Sequence, residues 1–373
     1  MSKNNLAKLN FIFEDVISIA KIPVYIARIP KTIREASYYP EKERKSNFII
    51  FLDNLIWIIK NKEPNYSYTP SGLDIKNWRN MDDFLSFKQF TRERDLGNSC
   101  EKESFNYNYI SILRDKYIFS SYLSHTIGKD KVIPTVALYN KEQIYLISEK
   151  SYTIFEDLFK KDIAMFCKAN DGEGSKGVFL LEKKNNKFYL NKQEASLIEI
   201  KSTFKNSKII FQHVLQQHQD LNYLNNSSVN TIRITTVQGV SGAINIFSSF
   251  LRLGSAENSF VDNISAGGLA VGVNENGILD KYGFKHKSFG TKLEKHPISN
   301  TVFEGYQLPF WAEIKELVKN AHKQFYYIQS IGWDVAVTPS GPVLVEGNDN
   351  WATCTPQIIE SGLKERWYKI KNS

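Results

Sequence analysis

The sequence predicts an α+β protein with two strand-rich subdomains behind a mainly helical N-terminal region, and three observations lead there. At 373 residues the chain exceeds the size at which one hydrophobic core usually stops growing, which favours two or three domains around a shared cleft. The first 105 or so residues read as helical, with apolar side chains such as Phe11, Ile17 and Ile19, and later Ile50, Leu55 and Ile58, and few strand runs. From Val132 onward the texture changes to short β-branched runs bounded by turn residues. The expected division is 1–105 for the helical region, 106–212 for a first α+β subdomain and 213–373 for a second.

Taken in order, the runs VIPTVALY, QIYLIS, IAMFCKA, GVFLLE, KFYL and KIIFQ read as strands between Val132 and Phe211, alternating with brief helical patterns. A second strand-rich block runs from Val229 to Val273, and the Lys- and Gly-rich stretch from Asn274 to Gln307 reads as loop. Between Trp311 and Ile328 one side collects Trp311, Ile314, Leu317, Val318, Ala321, Phe325 and Ile328, which predicts a helix lying against a sheet. Internal repeats and low-complexity segments are absent from the sequence.

Composition narrows the function classes. Hydrophobic residues at 42% and charged residues at 24% are those of a folded chain rather than a disordered one. The longest apolar run, Phe48 to Ile59, contains Asp53 and is too short for a membrane span. The N-terminus reads as amphipathic, without the apolar core and cleavage site of a signal peptide, so a cytoplasmic protein is expected. Cys100, Cys167 and Cys354 are odd in number and widely separated, which argues against a disulfide framework or a zinc cage. The net charge of +8 is partly concentrated in residues 1–46, where nine basic side chains face five acidic ones. That excess is spread along helical pattern without an aromatic-interleaved strip or a nucleic-acid motif. Solvated helix faces account for it, leaving room for at most a peripheral membrane contact or attraction of an anionic substrate, and no nucleic-acid partner is expected.

The most informative segment is GWDVAVTPSGPVLVEGNDN, Gly332 to Asn350. Two β-rich runs flank Pro339-Ser340-Gly341, read as a three-residue hairpin loop. Centred on Ser340, that loop pairs Thr338 with Pro342, Ala336 with Leu344 and Asp334 with Glu346, and alternation puts Asn348 on the face of Glu346. Hard oxygens from Asp334, Glu346 and Asn348 on a rigid hairpin suit Mg²⁺, which completes its shell with phosphates and water. The alternative is a surface hairpin with ordinary acidic residues. A second signal follows the apolar run IAMFC: Lys168, then Gly172, Gly174, Ser175 and Gly177. Glycines there let backbone N–H groups approach phosphate oxygens, with the lysine as a point charge. Lys168 precedes the glycines, so the pattern is not a P-loop, and by itself it reads equally as a Gly-rich hairpin without a ligand.

Together with Gln212, the string Asn230-Thr231-Ile232-Arg233, Arg252, Asn263 with Gly267-Gly268, and Asp334 with Glu346-x-Asn348, these motifs occur in the order and approximate spacing of the ATP-grasp ligases. The chain resembles most the sugar-transfer-associated ATP-grasp group, on the strings YYPEKERKS, SGLDIKN and SSVNTIRITTV, and is also similar to the ribosomal-protein glutamate ligases and D-alanine ligases. The resemblance runs from about Tyr39 to Pro356 and implies the ATP-grasp fold, two α+β subdomains clasping ATP.

The same resemblance implies roles. Lys116 and Lys168 stand where two lysines reach the ATP phosphates. KIIFQHVLQQH stands where a hinge strand meets adenine, with Gln212 in place of the more common Glu and either Leu215 or Val214 giving the backbone contact. Asp220 is the nearest candidate for a ribose-binding acid. Arg233, whose strand alternation puts it on one face with Thr235, offers a planar fork to phosphate or carboxylate oxygens. Arg252 resembles the arginine that faces the acyl phosphate and its tetrahedral successor, and Asn263, Ser265, Gly267 and Gly268 an acceptor-side loop. The implied cofactors are ATP and Mg²⁺. The implied activity joins a carboxylate and an amine into an amide through an acyl phosphate, one partner being a uronic acid, nucleotide sugar or amino sugar of surface-polysaccharide or capsule synthesis. Two other readings stay open: a small-molecule kinase on the same fold, and a non-catalytic nucleotide-binding component of a polysaccharide assembly complex.

Overall fold

Alternating polar and apolar residues over 135–213 and again over 231–348 become two separate antiparallel sheets in the computed structural model of the chain. The structure describes residues 13–98, 109–141, 143–172, 177–255, 267–285 and 292–373. The smaller sheet contains β1 (Thr135–Asn140), β2 (Gln143–Leu146), β3 (Ser151–Thr153), β4 (Ile163–Ala169), β5 (Val178–Lys184), β6 (Lys187–Leu190), β7 (Gln193–Ala195) and β8 (Ile209–His213), in the order β3-β2-β1-β8-β4-β5-β6-β7. The larger contains β9 (Thr231–Gln238), β10 (Ile244–Leu253), β11 (Leu269–Val273), β12 (Leu279–Lys285), β13 (Lys292–Leu293), β14 (Ser330–Thr338) and β15 (Gly341–Asn348), in the order β13-β12-β11-β10-β9-β14-β15. The stretch from Asn274 to Gln307 is therefore not simply loop: it contains β12 and β13. β13 is only two residues long, and β12 carries Asp, Lys and Gly without a β-branched residue, which hid both from a reading based on β-branched runs.

Each sheet buries one face against helices, and the larger also buries part of its other face, where Val237 and Phe247 pack with Phe90, Trp351 and Trp367. In the smaller, Met165, Cys167, Phe211 and Ala137 pack with Phe155 of the Phe155–Leu158 helix, Phe159 just after it and Phe204 of the Leu197–Phe204 helix. In the larger, Ile232, Ile234, Leu251, Leu253, Trp333, Val335, Val337 and Leu344 meet the Trp311–Lys323 helix through Ile314, Leu317, Val318 and Ala321. Phe325 and Ile328 lie past the end of that helix yet stay buried in the same core, so the predicted face outlasts the helix. Alternation leaves the opposite faces free to carry polar residues.

The N-terminal region is helical where its apolar period is clear, with helices Ile22–Ile26, Ile29–Arg34, Asn47–Asn61 and Phe87–Asn98. Ser46 caps the long one, its Oγ accepting from the Ile49 N–H at 3.3 Å, and Lys62 ends it in the left-handed region at φ 57°. Residues 63–86 are turn-rich and pack Tyr68, Leu73 and Phe84 against Ile50 and Trp57. The Phe87–Asn98 helix is tied to the larger sheet by Asn98, whose Nδ2 donates to the carbonyls of Ser330 (2.9 Å) and Asp349 (3.0 Å). Among the described residues no helix is long and apolar enough to cross a membrane.

Candidate functional site

The β14–β15 hairpin turns through Pro339-Ser340 alone, because Thr338 pairs with Gly341, Val337 with Pro342 and Ala336 with Val343. The predicted three-residue loop and the pairs Thr338 with Pro342 and Ala336 with Leu344 are thus one residue out. Gly341 has φ 122°, a value that favours glycine, and this closes the tighter turn. The pair Asp334 with Glu346 nevertheless forms, because a bulge at Val345 restores the register. Without it Glu346 would share the core face of Leu344; a bulge re-aims the side chains beyond it.

Asp334 pairs directly across the sheet with Arg233 on β9. Its Oδ1 accepts from Arg233 Nε at 2.5 Å and its Oδ2 from Arg233 Nη2 at 3.1 Å, while Arg252 Nη2 lies 2.8 Å from Oδ2. Arg252 also donates from Nε and Nη2 to Thr231 Oγ1, at 2.9 and 2.6 Å. Burial pushes the Asp334 carboxyl up, and the two guanidiniums outweigh it and hold it below the usual carboxylate range. Asn348 donates from Nδ2 to the Gly332 carbonyl at 3.3 Å, which leaves its Oδ1 as the atom able to serve a cation.

On the smaller sheet, Phe166 and Lys168 alternate with the core residues Met165 and Cys167, so they lie on the outward face. Gln212 is opposite Phe166 and Ile210 opposite Lys168, which puts Lys168 and Gln212 on that same face. Gln212 is buried, its Nε2 donating to the Ile133 carbonyl at 3.4 Å, and its Oε1 has no partner among the described residues. Ile133 in turn donates its N–H to the Leu344 carbonyl at 3.2 Å, and Val132 bridges Leu344, so the two sheets are joined beside Gln212. Ile133, Ala336 and Val343 with Leu215, Val229 and Val345 make an apolar patch there.

The two faces meet through Lys116. Asp115 caps the Lys116–Thr126 helix, its Oδ1 accepting from the Ile118 N–H at 2.8 Å. Asn170 holds that helix start to the end of β4: its carbonyl accepts from the Lys116 N–H (3.2 Å), its Oδ1 from the Tyr117 N–H (3.0 Å), and its Nδ2 donates to Asp115 Oδ2 (2.7 Å). Lys116 Nζ then reaches the Gly172 carbonyl at 2.5 Å and Glu346 Oε1 at 3.5 Å. Gly177, at φ 71°, could not carry a side chain, since a Cβ would stand 2.8 Å from that of Ala169.

Other expected residues stand differently. Gly174 and Ser175 of the glycine loop, and Asn263 and Ser265, lie outside the described residues. The Gly267 carbonyl accepts from Ser255 Oγ at 2.5 Å, and Gly268 precedes β11 directly. Val214 is exposed. Asp220 lies in the first turn of the Gln219–Leu224 helix, its carboxylate 3.6 Å from Nδ1 of the capping His218 and its carbonyl accepting from the Tyr306 hydroxyl at 2.7 Å. Cys167 is buried in the core and burial pushes its thiol well up, consistent with a packing role.

Two connections escaped the sequence reading. Asn170 lies between Lys168 and Gly172, but its side-chain partners are 53 and 55 residues away. Asp349 adjoins Asn348 and takes a bidentate contact from Arg114, 3.0 Å from Nε and 2.8 Å from Nη2. Among the described residues no three His, Cys, Asp or Glu side chains gather as a metal cage. The oxygens of Glu346 and Asn348 are hard donors that suit a cation drawing its remaining ligands from phosphate and water, whereas both Asp334 oxygens are engaged by Arg233 and Arg252.

A family model described as sugar-transfer associated ATP-grasp matches residues 97–372. No curated protein matches the chain. Among solved structures it is similar to N5-carboxyaminoimidazole synthetase from Staphylococcus aureus complexed with ADP, at 12% identity over 72% of this chain and 52% of that one, with a TM-score of 0.39. It is also similar to biotin carboxylase from Campylobacter jejuni, at 12% identity over 70% and 46% with a TM-score of 0.40. D-alanine–D-alanine ligase from Helicobacter pylori gives 11% identity over 69% and 57%, with a TM-score of 0.39. The chain spans about half the length of the solved structures it matches.

Proposed function

The chain belongs to the sugar-transfer-associated ATP-grasp family and has its α+β ATP-grasp fold, and on that premise we propose that it is an ATP-dependent carboxylate–amine ligase whose two α+β subdomains, 106–212 and 213–373, hold one ATP between their polar faces. The observation that carries this reading is Lys116, whose ammonium touches both the Gly172 carbonyl beside the glycine loop and the Glu346 carboxylate. A lysine with an anion-binding loop on one side and an acidic oxygen donor on the other suits a phosphate–metal junction.

Gln212 Oε1, buried without a partner, is an acceptor for the exocyclic amine of adenine, and the apolar patch of Ile133, Leu215, Ala336 and Val343 suits a flat base. Val214 or Leu215 supplies a backbone contact, and Asp220 remains the nearest acid for the ribose. Lys168, with the loop from Gly172 through Gly174 and Ser175 to Gly177, neutralises phosphate charge from the smaller sheet. Glu346 and Asn348, with Asp334 beside them, would hold Mg²⁺, which would supply electrostatic stabilisation of the phosphates.

A carboxylate oxygen of the acceptor attacks the γ-phosphorus and ADP departs, leaving an acyl phosphate. The amine then attacks the acyl carbon, loses a proton, and phosphate leaves to give the amide. Arg233 and Arg252 stand together on the face where charge develops, and Asp334 keeps both guanidiniums oriented. Residues Asn263, Ser265, Gly267 and Gly268 serve the acceptor side. One substrate is a sugar carrying a carboxylate or an amine, as a cytoplasmic step in surface-polysaccharide synthesis would require.

The test is release of ADP and phosphate with ATP and Mg²⁺ across a matrix of uronic acids and nucleotide-linked uronic acids against amino acids and small amines. Release requiring both a carboxylate and an amine, absent in Glu346→Gln, with a product one water lighter than its two parts, is expected. Release driven by an acceptor without a carboxyl group contradicts the ligase and favours a kinase.

A further inference from the structure

Away from the cleft, the first helices, the turn after Lys62, the Phe87–Asn98 helix and the Thr353–Gln357 segment surround a cavity of about 700 Å³. Four of the residues that line it carry a side-chain polar atom that is buried and without a partner among the described residues. Glu63 is 6% exposed; its Oε2 accepts from the Lys88 N–H at 3.0 Å, and its Oε1 has no hydrogen bond. Asn65 is 9% exposed; its Oδ1 accepts from the Ser67 N–H at 3.2 Å, and its Nδ2 has none. Thr91 Oγ1 and the indole Nε1 of Trp57 are likewise buried and unpaired. A folded chain seldom leaves four such groups around one cavity, because each costs stability until something pairs with it.

The chemistry of the four atoms defines the occupant. An acceptor, two N–H donors and a hydroxyl able to do either suit neighbouring hydroxyl groups, since each hydroxyl both donates and accepts. Burial pushes the Glu63 carboxyl up to about 7, against the opposing pull of the Lys88 amide, so near neutrality it can meet a hydroxyl as donor or acceptor. Aromatic side chains supply the remainder of the wall, with Trp57, Tyr25, Tyr66 and Phe87 offering apolar surface to C–H groups. Three of the four cations at the rim are drawn to Asp15, Lys88 at 2.7 Å, Arg92 at 3.2 Å and Lys62 at 3.8 Å, and beside the fourth, Lys21, the lining also carries Glu14, Glu63 and Asp95, a balance that argues for a neutral guest over an anion.

We propose that this cavity binds a sugar ring, with Glu63, Asn65 and Thr91 hydrogen-bonding its hydroxyls and the aromatic wall covering its C–H face. This goes beyond the ligase reading, because the binding requires no nucleotide and uses none of the cleft residues.

The experiment is a titration of the full chain, without nucleotide, by ligand-observed saturation-transfer NMR using methyl α-D-glucopyranoside, methyl N-acetyl-β-D-glucosaminide and methyl β-D-glucuronide, with cyclohexanol as the apolar-ring control. Saturable binding of at least one glycoside and none of cyclohexanol is expected. The near-isosteric Thr91→Val should weaken it about fivefold, as expected for one lost hydrogen bond, and Asn65→Leu at least as much. Lys168→Ala should lose ATP affinity and keep the glycoside. Three results overturn the proposal: no glycoside saturates, both variants bind as the parent does, or cyclohexanol binds equally well. A chain that binds glycoside but not ATP would contradict the ligase reading and leave this one standing.

Discussion

Asp334 is a buried carboxylate held by two arginines from neighbouring strands, and its energetics are set by that pairing. Replacing one member of a buried ion-paired group leaves the other charges uncompensated, which typically costs about 3 kcal/mol or more. Asp334→Asn is therefore expected to lower unfolding stability in urea by roughly that amount, well beyond the effect of Glu346→Gln on its half-exposed side chain. An unchanged denaturation midpoint in Asp334→Asn would contradict the assignment of an orienting role. Glu63 gives a pH-dependent counterpart. Its folded carboxyl is pushed up to about 7, above the ordinary value of 4.5, so the folded state binds its proton more tightly than the unfolded one. Below about pH 4.5 both states are protonated and nothing is lost; stability falls as pH rises between 4.5 and 7, and the full penalty, at most about 3 kcal/mol, stands above that. Glu63→Gln should accordingly raise the melting temperature at pH 8 and leave it nearly unchanged at pH 4.

At the scale of elements, the hairpin of β14 and β15 illustrates what a sequence can carry. Alternation and a turn signal were enough to bring Asp334 opposite Glu346, yet the structure reaches that pair by another route, a shorter turn compensated by the bulge at Val345. Bulges answer to the strands and helices packed around them, so no local pattern announces one. The same holds for the start of the Lys116–Thr126 helix. Lys116 was named from a motif, but the Asn170 side chain that ties its helix to β4 depends on contacts over fifty residues apart. Asn170→Ala removes both side-chain bonds and frees that helix start, and ATP affinity, measured by calorimetry, should fall about tenfold, roughly the worth of one or two hydrogen bonds. Equal affinity would show that Lys116 finds its position without the strap.

Over the whole molecule, the two-sheet α+β plan and the helical start were legible because each rests on a periodicity that burial enforces. The family was legible only from six motifs in order; composition and charge pointed no further than a folded chain. The strands β12 and β13, the turn-rich residues 63–86 and the cavity they border were not legible, since tertiary packing rather than local pattern shapes them. The central claim is that polar faces of two sheets act on one ATP to activate a carboxylate. The most direct measurement labels with ¹⁸O the carboxyl group of whichever acid stimulates ADP release and follows the label by mass spectrometry. Transfer of one ¹⁸O into inorganic phosphate, with none in ADP, is the predicted result; unlabelled phosphate formed alongside the amide would contradict an acyl phosphate and with it the proposed reaction.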